Sequence, residues 1–357
     1  MSSASTQTDT QWKGYAVHDT EHWDQLKLID FQPKKFGDYD IDVKIEYCGV
    51  CGSDVHTVTG GWGKPLLPVI PGHEITGRVI RVGPKVTEFK VGDRAGVGAQ
   101  VCSCFECTLC KTDNENYCPS SVDTYNAKYP NGDMAYGGYS TAIRAHERFV
   151  FPIPQELALE QASPMLCAGL TVYSPLVRNG AGPGKKVGVV GIGGLGHFAI
   201  QFAKALGAEV VAFSHSPNKE KDAYELGADK FVLTNDKAFS KDYQGKLDII
   251  ICTTDVSKGI PLGDLLSTLT IAGRLIMVAL PDDDLPAIKS MQMAKNAALF
   301  GGSHIGSKKE ALAMLDLAVK KGVKSHIEIL SMKEAGKALR NVKENNIRYR
   351  HVLKMDI

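Results

Sequence analysis

The sequence predicts a two-lobed α/β protein, a mainly β, barrel-like lobe followed by a doubly wound parallel sheet. Three observations lead there. Up to about Val150, short β-prone runs are broken by Gly, Pro and Asp. After about Leu166 the pattern changes to strands alternating with helices, the signature of βαβ units with right-handed crossovers. The first strand of this second part runs directly into the glycine-rich stretch Gly191-Ile192-Gly193-Gly194-Leu195-Gly196.

In the first lobe the β-prone runs include Asp40 to Tyr47, Thr76 to Val82 and Phe149 to Pro154, with turn signals at Gly83-Pro84 and Gly92-Asp93. In the second, strands are expected at Lys186–Val190, Glu209–Phe213, Lys230–Leu233, Asp248–Cys252, Arg274–Ala279 and Ala297–Gly301. A helix over His197 to Leu206 should be closed by Gly207. Beyond these, Lys308 to Lys321 and Lys333 to Lys343 read as helices, and Tyr349 to Leu353 as a strand returning to the first lobe.

Composition narrows the classes of function. The 357 residues are enough for about two domains with real cores. With 43% hydrophobic and 23% charged residues the chain is an ordinary globular one. A net charge of +1 and the lack of a dense basic run argue against a nucleic-acid partner. No window approaches the ~18 apolar residues of a membrane span, and Met1 to Trp12 has no secretory h-region. The expected compartment is the cytoplasm.

Four of the nine cysteines, Cys104, Cys107, Cys110 and Cys118, stand at C-x2-C-x2-C-x7-C. Thiolates so closely spaced can wrap one tetrahedral zinc in a closed, structural site. The competing reading, a redox or disulfide cluster, suits short secreted chains.

The stretch Gly191 to Gly196 satisfies G-x-G-x-x-G between an apolar strand and a helix, where glycines let a pyrophosphate approach backbone N–H groups. A plain βα turn is the alternative. At the end of the second strand an NAD enzyme usually carries an acid for the ribose hydroxyls. This chain has Ser214, His215, Ser216, Pro217, Asn218 and Lys219 there, with no acid until Glu220. Hydroxyls, an imidazole and an ammonium suit a 2′-phosphate, and Ser216-Pro217 reads as an N-cap opening a second helix. The expected dinucleotide is NADP.

Taken singly, Cys167 reads as a buried thiol and His73 as a core histidine; together with Cys51 they supply soft and imidazole ligands for a second zinc with an open position, and Glu74 adjoins His73. With the cysteine quartet and the glycine motif, they occur in an order that resembles the zinc-dependent medium-chain alcohol dehydrogenases. The stretch from Cys167 to Leu176 and the ending Arg348-Tyr349-Arg350 resemble the cinnamyl alcohol dehydrogenase branch. The similarity runs from about Gly14 to Leu353.

The resemblance implies a GroES-like catalytic domain over residues 1–167 and a six-stranded Rossmann domain over 168–306. Residues 307–357 would return to the catalytic domain, and the protein would be a homodimer with two Zn²⁺ per chain. It further implies that Cys51, His73 and Cys167 hold the catalytic zinc, with Glu74 able to occupy the fourth position. Asp54 would orient the liganding histidine, Ser53 would adjoin the reacting oxygen, and His56 would pass its proton to solvent. Thr171, Thr253, Gly273, Ser303, His304 and Ile305 match cofactor-contacting positions. The implied reaction is hydride transfer between NADP(H) and a small-molecule alcohol or aldehyde. Asp123 and His304 stand where plant lignin-pathway members carry aromatics, which points to broad specificity for aromatic and medium-chain aliphatic substrates, with Trp62 as a pocket wall. A polyol dehydrogenase of the same superfamily and a non-catalytic NADPH-binding redox sensor are the rival readings.

Overall fold

The computed structural model describes residues 11–236 and 238–357. Met1 to Thr10, most of the stretch read for a secretory signal, lies outside them. The first lobe is built on a seven-stranded sheet. Its spine is the strand Asp40–Gly49, antiparallel to both Glu74–Val82 and Ala142–His146. Arg94–Val97 and Val150–Pro152 continue on one side. Strands alternating inward apolar residues bury Ile41, Val43, Ile45, Ile75 and Val79 in a single core. The expected strand at Phe149 begins one residue later, because a 3-10 turn takes up Glu147–Phe149. A two-stranded hairpin, Trp12–Ala16 with Lys27–Phe31, adds to this lobe and has no counterpart among the expected strands.

The second lobe is a six-stranded parallel sheet in the spatial order Lys230–Leu233, Glu209–Ser214, Lys186–Val190, Leu247–Cys252, Leu269–Met277, Leu299–Gly302. In chain order this is 3-2-1-4-5-6, the doubly wound Rossmann arrangement. The strand order reverses between Lys186–Val190 and Leu247–Cys252, so a crevice opens beyond Val190 and Cys252. The helix Gly196–Ala205 comes after the glycine loop and is closed by Gly207 at φ +95°. The expected strand at Ala297 starts at Leu299 instead, because Ala297 turns the chain at φ +51°.

The C-terminal segment does not return at once to the first lobe. Its first helix, Lys308–Lys321, buries Ala311, Met314, Leu315 and Ala318 against the apolar layer of the second lobe. Only then does Ile327–Ser331 pair with Arg350–Lys354, which pairs antiparallel with Asp40–Gly49. The helix expected at Lys333 opens as a 3-10 turn capped by Ser331 and runs as an α-helix over Ala335–Lys343.

One apolar cluster joins the lobes. It runs from Phe151 and Ile153 through the helix Ala168–Arg178 to Val187, Phe198 and Phe202. That helix is buried on nearly every face, and its Thr171-Val172-Tyr173 and Pro175 are residues that sequence alone reads as strand and break. Phe202 is fully buried and meets Tyr173 edge-on with ring centroids 5.5 Å apart. Among the described residues no helix is long and apolar enough to cross a membrane. Because the cavity left by a lost aromatic collapses only partly, Phe202→Ala should cost about 3–5 kcal/mol, read by denaturant unfolding. A loss below about 1 kcal/mol would show that the two lobes do not share this core.

Candidate active site and metal centres

Among the described residues two groups of side chains are arranged to hold a metal ion. The first is buried where the spine strand ends. Cys51 precedes the helix Gly52–Thr59, His73 precedes the strand Glu74–Val82, and Cys167 opens the helix Ala168–Arg178. Their ligand atoms lie within 4.8 Å of one another, with His73 Nε2 3.1 Å from Cys167 Sγ.

Asp54 fixes this geometry. Fully buried at the third position of its helix, it accepts the N–H of Cys51 at 2.9 Å, half of a capping box. The same carboxylate accepts the N–H of Gly72 at 3.1 Å and the hydroxyl of Tyr139 at 3.3 Å. Its third task is His73 Nδ1, 3.0 Å away, which leaves Nε2 as the nitrogen facing the thiols. Burial alone would push the His73 imidazole down, but the charge and hydrogen bond of Asp54 hold it well above its ordinary value. Cys51 is held well below its ordinary value by a hydrogen bond with Cys167, against burial. The same bond raises Cys167, so the pair shares one proton; two sulfurs and a ring nitrogen turned toward them by Asp54 are the donor set of a zinc site, and these three residues fit the ion.

Glu74 stands outside that group. Its Oε1 accepts from the buried Arg350 and, at 3.3 Å, from the N–H of Ala168. Its Oε2 is buried with no hydrogen-bond partner and faces Gly49, where a Cβ would sit only 2.0 Å away. Burial pushes the carboxyl up to about 7, the Arg350 charge opposing. In this arrangement Arg350 holds Glu74 back from the fourth position that the family resemblance assigns it.

The second group is the quartet on the loop around the short helix Thr108–Lys111. Sulfur pairs stand 3.9 Å apart for Cys104 and Cys110, 3.9 Å for Cys107 and Cys118, and 3.5 Å for Cys104 and Cys118. A tetrahedral zinc with its usual Zn–S bonds sets sulfurs about 3.8 Å apart, so the quartet fits. Backbone N–H groups point at the sulfurs, Cys107 to Cys104 at 3.4 Å and Cys110 to Cys107 at 3.5 Å. These bonds lower the Cys104 thiol to about 6, while burial raises Cys110 to about 12.

The glycine loop lies at the topological switch point. Gly191 has φ +90°, and a Cβ on Gly196 would meet the Gly191 carbonyl at 2.0 Å, so both positions exclude side chains. A Cβ on Gly193 would meet nothing within 4 Å, leaving that face of the loop open for a pyrophosphate. Ile192 is buried beneath it, Gly194 adjoins Arg350, and Leu195 precedes the helix. Thr253 donates its hydroxyl to Val190 O and Gly191 O at 3.0 and 3.1 Å, and buried Thr171 lies on the helix that Cys167 opens.

At the end of the second strand, Ser214 Oγ accepts the N–H of Ser216 at 3.1 Å and donates to Ser216 O at 3.0 Å, folding the turn back on itself. The carbonyl of His215 accepts from Asn235 at 2.7 Å. Ser216 does act as a cap, but only of the 3-10 turn Pro217–Lys219. The short helix Glu220–Glu225 comes after it, so little helix dipole stands behind the cap.

Gly273 is placed elsewhere. It lies at the middle of the strand Leu269–Met277, where a Cβ would crowd Thr270 O and Leu247 O at 3.0 and 3.1 Å. Packing accounts for it. In the segment after the last strand, Ser303 donates its N–H to Met277 O at 3.1 Å. His304 donates its N–H to Tyr117 at 3.2 Å and accepts from Asn116 at 2.9 Å, while Ile305 is buried. That segment therefore docks on the cysteine-rich loop.

The helix Gly52–Thr59 carries Ser53 and His56 on one face. Ser53 Oγ is 3.7 Å from Cys51 Sγ. His56 is gripped by two acids that no sequence motif singles out. Its Nδ1 is 2.6 Å from Asp282 and its Nε2 2.7 Å from Asp255, both at the carboxyl end of the parallel sheet. Its ring stacks on Trp62, centroids 4.8 Å apart, and Trp62 Nε1 donates to Leu280 O at 2.9 Å. A cleft of about 680 Å³ opens beside this contact, lined by Trp62 and Tyr117 from one lobe and Met277, Leu280, Leu285 and His304 from the other. Trp62 is thus a wall of the cleft as well as a lid on His56.

Comparison with known proteins agrees with this geometry. Residues 37–155 match the alcohol dehydrogenase GroES-like domain and residues 194–320 the zinc-binding dehydrogenase domain. The chain is 41% identical over 348 residues to NADP-dependent alcohol dehydrogenase 6 of Saccharomyces cerevisiae, covering 96% of each chain. It is 43% identical over 344 residues to a probable mannitol dehydrogenase of Mesembryanthemum crystallinum, covering 95% of this chain and 93% of that one. Among solved structures, a cinnamyl alcohol dehydrogenase of Sorghum bicolor superposes with TM-score 0.91 at 39% identity, covering 97% of this chain and 98% of that chain. The Helicobacter pylori enzyme described as CAD complexed with NADP(H) gives 0.89 at 35% identity, with the same coverage.

The double grip on His56 implies a pH dependence. Burial lowers the imidazole, but the hydrogen bonds and charges of Asp255 and Asp282 outweigh it and raise the group above its ordinary value of about 6.5. The imidazolium therefore adds stability that is complete below about pH 6.5 and lost as pH rises through the raised value. The melting temperature of the wild type should fall over that window, and Asp255→Asn with Asp282→Asn should flatten the fall. Equal slopes in both proteins would show that this contact does not hold the lobes together.

Proposed function

We propose that this chain, which belongs to the zinc-dependent medium-chain alcohol dehydrogenases of the cinnamyl alcohol dehydrogenase branch, works its chemistry at Cys51, His73 and Cys167. The protein is an NADP-dependent oxidoreductase acting between alcohols and aldehydes. The observation that carries the assignment of residues is the buried three-ligand cluster, its histidine fixed by Asp54.

When bound, zinc supplies a Lewis acid that acidifies an alcohol and polarises a carbonyl, and the dinucleotide supplies or accepts the hydride. The protein's own part is binding, orientation and proton movement. Ser53 is the hydroxyl beside the ligand sulfur, and His56, one turn on, takes the proton toward solvent when one of its carboxylate contacts opens. Glu74, held by Arg350, is poised to approach the metal only if that pair loosens. The quartet serves folding: its sulfurs satisfy one another and the backbone, leaving no open position for a substrate.

In the same reading residues 1–167 form the zinc lobe and 168–306 the dinucleotide lobe, and 307–357 return to the zinc lobe after their first helix has packed on the dinucleotide lobe. Ser214, His215, Ser216 and Lys219 receive the 2′-phosphate. Aromatic and medium-chain aliphatic alcohols and aldehydes are the substrates, because Trp62, Tyr117, Met277, Leu280 and Leu285 give the cleft an apolar wall, with Asp283 and Asp284 as its acidic part. The chain works as a homodimer through its last parallel strand, Leu299–Gly302. That edge is unpaired among the described residues, and Ile271 (85% exposed) and Met291 (64% exposed) present apolar surface in the same lobe. Six thiols committed to zinc suit a reducing compartment, the cytoplasm.

Metal analysis separates the two centres. Cys51→Ser or Cys167→Ser should lower the zinc content from about two per chain toward about one and abolish turnover, with NADPH still bound. Cys107→Ser should instead lower thermal stability or solubility. Full activity with about one zinc per chain after Cys51→Ser would show that the reacting centre is misplaced.

Substrate and cofactor are tested together. Initial rates with NADPH and NADH across cinnamyl-type and aliphatic aldehydes, run beside a polyol panel, should favour NADPH and the aldehydes. Ser214→Asp should reverse the preference, since a carboxylate repels the 2′-phosphate and accepts bonds from ribose hydroxyls. Two charge-assisted bonds of about 1.5–3 kcal/mol each predict a wild-type preference of roughly a few hundredfold. Faster polyol oxidation would replace the reading with a polyol dehydrogenase, and an unmoved ratio in Ser214→Asp would remove this turn from cofactor choice.

A further inference from the structure

We propose that Arg348, on the C-terminal segment, reads the 2′-phosphate together with Lys219, so that the returning chain itself takes part in choosing NADP over NAD. The inference rests on the NADP reading above and adds a residue that lies far from the glycine motif in sequence.

The geometry brings the segment along the whole dinucleotide face. Arg350 lies against the glycine loop, where a Cβ on Gly194 would come within 2.9 Å of its Nη1. Tyr349 stacks on His197, whose N–H is bonded to Gly193 O at 3.0 Å. Arg348 then reaches the turn after Ser214. Its Nη1 donates to Asp222 at 2.9 Å and its Nη2 to the Asn218 carbonyl at 3.4 Å. Lys219 stands on the same platform, its Nζ 4.5 Å from the centre of the Tyr349 ring, and the Tyr349 hydroxyl also donates to Asp222.

Two cations therefore stand beside a turn of hydroxyls, with Asp222 paired to Arg348 and Lys219 packed on the Tyr349 ring. Burial lowers the Lys219 ammonium, and Arg348 lowers it further, with only Asp222 opposing. Such an excess of positive charge is relieved by an anion. Arg348 is suited to a phosphate because its planar fork is already oriented by Asp222, while about half of the side chain stays exposed to receive it. A purely structural staple between Arg348 and Asp222 is the bland account. A half-exposed ion pair contributes little to stability, and that account does not explain why a second cation is packed onto the same tyrosine.

The test is calorimetric titration of the zinc-loaded protein with adenosine 2′,5′-bisphosphate and with 5′-AMP, which differ in the group at issue. Arg348→Gln should weaken the bisphosphate about tenfold or more and change 5′-AMP by less than about twofold. Arg348→Lys should keep part of the preference. Asp222→Asn, which removes the staple but leaves both cations, should bind the bisphosphate as tightly as the wild type or more so. Equal weakening of both nucleotides by Arg348→Gln, or no weakening of either, would reduce Arg348 to a structural contact. A wild type that does not prefer the bisphosphate would overturn the NADP reading itself, and this inference with it.

Discussion

The buried ion pair between Arg350 and Glu74 is the contact on which the rest of this molecule turns. Both side chains are nearly or wholly removed from water, and each comes from a strand joined to the spine of the first lobe. Taking two charges out of water costs several kcal/mol each, and their attraction repays this only with good geometry. Losing one partner is therefore far worse than never having had the pair, by about 3–5 kcal/mol. The pair places the last strand against Asp40–Gly49, sets Arg350 against the glycine loop, and keeps Glu74 away from Cys51, His73 and Cys167. Sheet closure, dinucleotide cradle and the surroundings of the metal centre thus meet at one contact.

Around that point the lobes meet in two different ways. An apolar hinge, from Phe151 through the helix Ala168–Arg178 to Phe202, is continuous core and does not open without exposing apolar surface. The rim is polar: His56 with Asp255 and Asp282, Trp62 with Leu280, Asn116 and Tyr117 with His304, Lys308 with Glu115. Polar contacts of this kind exchange readily with water, as at transient interfaces. A dry hinge with a wet rim is an arrangement that lets a cleft open to a dinucleotide while its floor stays put. The cleft lies on that rim, so the groups that close the lobes also line the path to the site.

The two metal centres show how the same ligand chemistry is built by opposite routes. The quartet sits on one short loop, and its sulfurs are organised by backbone N–H groups of neighbouring residues. Folding of a few residues is enough to form it. Cys51, His73 and Cys167 come from three separate elements, and they meet only when the barrel is closed and the linking helix has docked. Asp54 stands at their junction, capping its own helix while orienting the histidine of another element, so that site geometry and fold share a single carboxylate.

The range of each interaction decides how much of this was legible in the sequence. Local patterns determined the strand–helix alternation, the glycine turn, the quartet and the cap at Ser216, because each is a matter of residues a few positions apart. They also bounded most strands to within a few residues, missing where a positive φ at Ala297 or a 3-10 turn at Glu147 shifted an end. Cys51, His73 and Cys167 could be paired from afar only through likeness to a family. The helix Ala168–Arg178 stayed hidden because Thr171, Val172 and Tyr173 favour strands and Pro175 reads as a break. Asp255 and Asp282 carried no signal at all, and Arg348 only its place in a family-like ending, since their partners lie 199, 226 and 126 positions away. Gly273 came only from likeness to a family, and a glycine required by packing reads the same in sequence as one required by a ligand. The sequence by itself determined which chemistry the chain can hold; tertiary structure alone decided which charges face each other, because a Coulomb interaction depends on distance in space and not on distance along the chain.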